Sequence, residues 1–68
     1  MDWHRGPIAH QYSLIVGDHQ ALVWYQMMGD WAALISHDHT AIAHNLFKNV
    51  IEAQLWCEAY LAKSPTRP

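Results

Sequence analysis

From His19 to His37 the chain reads H-Q-A-L-V-W-Y-Q-M-M-G-D-W-A-A-L-I-S-H, and Asp30 is its only fixed charge. Two apolar runs so poor in charge, on either side of Gly29-Asp30, leave few ways to fold. Val23, Trp24 and Tyr25 are consecutive strand formers. Gly29-Asp30 suits a two-residue hairpin loop with glycine in the first position. The stretch therefore reads as a β-hairpin. With that loop, Met28 faces Trp31, Gln26 faces Ala33, Trp24 faces Ile35 and Leu22 faces His37. The other side carries Ala21, Val23, Tyr25, Met27, Ala32 and Leu34. A helix over 19–36 is the competing reading, because Gln, Ala, Leu and Met favour helix. Gly29 in mid-segment, the Val-Trp-Tyr run and the lack of a polar helical stripe count against it.

The flanking segments fit around this hairpin. Residues 11–16 form a strand with Tyr12, Leu14 and Val16 on one face, and Gly17-Asp18 turns the chain into the next strand. Gly6-Pro7 is a breaker pair, so a strand at 2–5 is short and peripheral, and Trp3 is placed to fold back over the core edge. Residues 1–7 and 64–68 read as loose tails. After S-H-D-H-T, with Asp38 or Thr40 as N-cap, an amphipathic helix runs from about Thr40 to Lys63. Its wheel puts Ala43, Leu46, Val50, Ala53, Cys57 and Tyr60 on one stripe. Leu55 and Trp56 break its polar side. The expected fold is α+β in one domain over 1–68: a three-stranded antiparallel sheet, with a fourth short strand from 2–5, and one long C-terminal amphipathic helix packed on it.

This arrangement has a consequence for association. Both faces of the hairpin are apolar, and one helix covers only one of them. A chain of 68 residues buries only about 60% of its unfolded surface and gains from added support. Cys57 is the only cysteine, so no disulfide within the chain supplies it; the thiol reads as a small buried hydrophobe. Charged residues make up 15% of the chain, against about 25% in average usage, so a monomer would be short of polar cover. Interface cores are enriched in Trp, Tyr and Met. Trp24, Tyr25, Met27, Met28 and Trp31 have that composition, and Leu55 with Trp56 mark a second contact surface. The expectation is a small non-enzymatic protein-interaction module that works as a homo-oligomer, a dimer before all else.

Other chemistries have weaker support. Trp24, Tyr25 and Trp31 on an open sheet suit base stacking, but strands two and three hold no Lys or Arg, and the four basic residues are scattered. His37-Asp38-His39, with His44 nearby and His19 at the neighbouring strand end, has metal-ligand residue types at close spacing. It matches no established zinc pattern. Ser36 and His37 are sequence neighbours and point to opposite faces of a strand, and Glu52 and Glu58 project to different sides of a helix, so no catalytic set emerges. No cofactor is implied. The N-terminus has no apolar leader core and no apolar run spans a membrane, so a soluble cytoplasmic protein is expected.

Overall fold

The computed structural model describes residues 3–6, 10–26 and 28–63. In chain order these form His4–Arg5 (β1), Gln11–Val16 (β2), His19–Tyr25 (β3), Trp31–His37 (β4), Thr40–Phe47 (β5) and Val50–Lys63 (α1). Each strand pairs antiparallel with the next, so the sheet order is β1-β2-β3-β4-β5. The α+β class, the antiparallel sheet and the C-terminal helix packed on it are as expected. The short strand foreseen at 2–5 is present as β1, and one strand is additional.

That additional strand is β5, which corrects the expected helix start at Thr40. The cause lies in the turn before it. Asp38 and His39 have φ of 54° and 69°, the pair of positive values that a two-residue type I′ turn requires. The turn sends the chain straight back along β4, with His37 opposite Thr40 and Trp31 opposite Phe47. Ala43 and Leu46, neighbours on a helical wheel, lie on opposite faces of this strand. The helix begins only after Lys48-Asn49. Asn49, and not Asp38 or Thr40, is its cap: Glu52 N–H donates to Asn49 Oδ1 at 2.8 Å, satisfying a donor that has no partner within the helix.

Two consecutive left-handed residues that are not glycine carry strain, since a Cβ in this region approaches the following carbonyl. The double substitution Asp38→Asn, His39→Gly supplies the residues preferred in this turn. It is expected to raise the unfolding free energy by about 1 kcal/mol, read as an increased urea midpoint at unchanged slope.

The β3–β4 register also differs from expectation. Gln26 N–H donates to Asp30 O at 2.7 Å and Gly29 N–H to Gln26 O at 3.1 Å. The connection is therefore a five-residue loop over 26–30, with Gly29 at φ 90°, and not a two-residue turn. Tyr25 pairs with Trp31, Val23 with Ala33 and Ala21 with Ile35. This is three residues away from the two-residue reading, and an odd shift exchanges the faces of one strand relative to the other. The gain is a coherent core face. Ala21, Val23, Ala33 and Ile35, all fully buried, now point the same way.

The helix rests on that face across β3, β4 and β5. Ala53, Cys57 and Leu61 meet Leu14, Ala21, Val23, Ala33 and Ile35 in one cluster. Alanine or cysteine at four of these positions lets helix and sheet approach closely. Tyr12 and Val16 share the face of Leu14, as foreseen. Trp3 does fold back onto the core edge, and its indole Nε1–H donates to Glu58 Oε2 at 2.8 Å, fastening the N-terminal segment to the helix.

Candidate protein-interaction surface

Alternation along the strands assigns the residues of the opposite sheet face. It carries Gln11, Ser13 and Ile15 from β2, Gln20, Leu22 and Trp24 from β3, Ala32, Leu34 and Ser36 from β4, and Ala41, Ile42, His44 and Leu46 from β5. Ile42 is the extra residue of a bulge opposite Ile35 and Ser36. None of these residues bears a fixed charge. Among the described residues no element lies over this face, because the helix occupies the other one.

Ile15 is 65% exposed, Ile42 45% and Leu46 46%. Leu22, Trp24 and Leu34 between them are half-buried, while Ala32, paired with Trp24, is fully covered. An antiparallel sheet with one solvated face ordinarily alternates apolar with polar side chains. Here the polar members bear no fixed charge. Five strands about 4.8 Å apart and about six residues at about 3.3 Å each span roughly 500 Å².

The structure distributes the described residues nominated from sequence over four places. Trp24 alone of them lies on the open face. Tyr25, 45% exposed, is on the helix-side face at the end of β3. Its ring meets that of Trp31 at 5.3 Å and that of His10 at 6.0 Å. Trp31 also approaches Tyr12 and packs against the core. Met28 stands 89% exposed in the hairpin loop, and Met27 lies outside the described residues. Leu55 is exposed on the helix, while Trp56 is half-buried, 5.7 Å from the rings of both Phe47 and Tyr60. Trp56 thus belongs to the rim of the core. Of the three aromatics named for base stacking, Tyr25 and Trp31 sit on the helix side and Trp24 on the open face.

Ile15, Leu22, Leu34, Ile42 and Leu46 were missed as members of the surface. The signal was Leu22 and Leu34, which read correctly as apolar but fell on opposite faces in the two-residue register. Ile42 and Leu46 were hidden by the helical reading of 40–47.

The histidines also separate. His19 and His37 are cross-strand partners with ring centroids 4.5 Å apart, and His37 Nε2 lies 3.9 Å from Asp18 Oδ2. His39 sits in the tight turn, and His44 is opposite Leu34 on the open face. Among the described residues no group of three or more His, Cys, Asp or Glu side chains is arranged to hold a metal ion. A depression of about 270 Å³ beside the two turns is lined by Ile15, Asp18, His19, Ser36, Asp38 and His39 among others. Its acidic side chains stand in solvent, where an ion pair is worth at most about 1 kcal/mol.

Comparison with family models, with curated protein sequences and with solved structures gives no match. Among the described residues no helix is long and apolar enough to cross a membrane.

Proposed function

We propose that this chain is a small non-enzymatic interaction module that self-associates through the open face of its sheet. The observation that carries the reading is the exposure of Ile15, Ile42 and Leu46 around Leu22, Trp24 and Leu34, on a face without fixed charge. Contiguous exposed apolar surface of this kind marks contact sites. A face with no cation offers nothing to phosphates, whose neutralisation dominates nucleic-acid affinity. It likewise offers no charge to an acidic or basic partner. What complements it is another uncharged apolar sheet, and a second copy presents one. Sheets pack face to face at about 10 Å with interdigitating side chains. Two such faces bury about 1,000 Å², the lower bound for a specific interface.

Light scattering is expected to give a mass of at least twice 7.9 kDa at tens of micromolar. Ile15→Glu, at a site exposed enough to leave the protomer folded, and Trp24→Glu are both expected to lower that mass. Each places a carboxylate where association would strip its water, a cost of several kcal/mol for an unpaired ion. A wild-type mass of one protomer at these concentrations overturns the reading.

A further inference from the structure

The open face leaves the edge of the sheet unused. We propose that β5 is a second contact site, pairing antiparallel with β5 of another copy so that two sheets continue into one of ten strands. This extends the self-association reading and stands independently of contact through the open face.

The two edges of the sheet differ. β2 is flanked by β1 at Tyr12 and Ser13, whereas β5 has no outer neighbour along any of its length among the described residues. Edge strands of monomers carry guards against pairing: lysines, prolines, inward charges or very short length. Thr40–Phe47 is eight residues long and has no proline and no fixed charge. Its one guard is the bulge at Ile42. Leu46 N–H donates to Oδ1 of its own neighbour Asn45 at 2.9 Å, a local bond that an incoming strand has to replace with one of its own.

The side chains indicate what the edge accepts. Ile42 and Leu46 are exposed on one side of it, and Phe47, its ring tilted against that of half-buried Trp56, lies on the other. An added strand would meet apolar groups on both faces and must itself be uncharged. β5 has that character. Paired strands keep directly opposed residues on one face, so self-pairing about a two-fold axis sets each residue against one of equal parity. The register that matches Ile42 with Leu46, large with large, sets His44 of one copy opposite His44 of the other. It overlaps residues 42–46 and joins two open faces of roughly 500 Å² into one of about 1,000 Å² per edge-paired dimer. Stacking two such sheets reaches the area of standard stable interfaces, so the complete assembly holds four chains.

Cross-linking and mass together test this. In a Cys57→Ala background, His44→Cys is expected to form a covalent dimer on mild oxidation, because opposed Cβ atoms lie about 5 Å apart. Ala59→Cys, exposed on the helix and outside both contact surfaces, is the control for that geometry. Asn45→Lys, on the helix side of β5, is expected to halve the wild-type mass. Trp24→Glu is expected to remove open-face stacking while leaving the His44→Cys cross-link intact. An unchanged mass for Asn45→Lys, or cross-linking of His44→Cys no faster than of Ala59→Cys, overturns edge pairing. If Trp24→Glu changes nothing while Asn45→Lys lowers the mass, open-face association fails and edge pairing stands.

Discussion

Ile35→Ala is expected to cost about 2–5 kcal/mol, the range for removing a large aliphatic side chain from a packed core. Its surroundings place it in the upper part of that range. Ile35 is fully buried in β4, paired with Ala21 on one side and Ala43 on the other, under a helix that presents Ala53 and Cys57. Small side chains cannot swing in to fill the space it leaves, and a cavity that does not collapse carries the larger penalty. Native domains hold about 0.05–0.15 kcal/mol per residue, so a loss of this size consumes much of the stability of a chain this short. In urea titrations the variant is expected to unfold at little or no denaturant. Ile15→Ala, at a site 65% exposed, is expected to change protomer stability by about 0.5 kcal/mol or less. Equal effects at the two sites would mean that both faces of the sheet are packed alike.

Raising the pH through the alkaline range is expected to weaken the fold by way of Cys57. Burial first, and the neighbouring Glu58 carboxylate second, push its thiol from 9.0 up to about 12. The folded chain keeps the proton that the unfolded chain releases. The stabilisation is therefore complete below pH 9 and declines as pH rises toward about 12, with a slope near 1.4 kcal/mol per pH unit. Cys57→Ala removes the titrating group, and chemical denaturation of both proteins across this window isolates it from lysine and tyrosine titration. Wild type is expected to lose stability relative to Cys57→Ala as pH climbs. Parallel curves would mean that the thiol ionises equally in both states. Alkylation, which needs the thiolate, is expected to be far slower in the native protein than in urea.

Much of the fold can be read from the chain itself. Gly17-Asp18 between Gln11–Val16 and His19–Tyr25 is a local signal, because only glycine takes a positive φ there without penalty. The bounds of β4 and the inward stripe of Ala53 and Cys57 follow from strand and helix periodicity. Asn49 with Glu52 three residues later is likewise a helix-start signature, although a continuous wheel drawn from Thr40 obscured it. The histidines show the limit of residue type as evidence. His19 and His37 meet because they share a register position, while His44, much closer in sequence to His37, lies on the other face.

The apolar, nearly uncharged run from His19 to His37 settles that this chain builds a sheet with more apolar surface than one helix can cover. That follows from composition and periodicity, which act residue by residue. The membership of each face follows from the register, and register is a non-local property. It depends on the loop closing between Gln26 and Asp30, not at Gly29-Asp30, and on two left-handed residues at Asp38-His39 that carry no glycine to announce them. A shift of an odd number of residues leaves every local propensity unchanged and exchanges core for surface. The five-residue loop puts Ile35 beneath the helix and Leu22, Trp24 and Leu34 on the open face. The tight turn at Asp38-His39 adds β5 beside them.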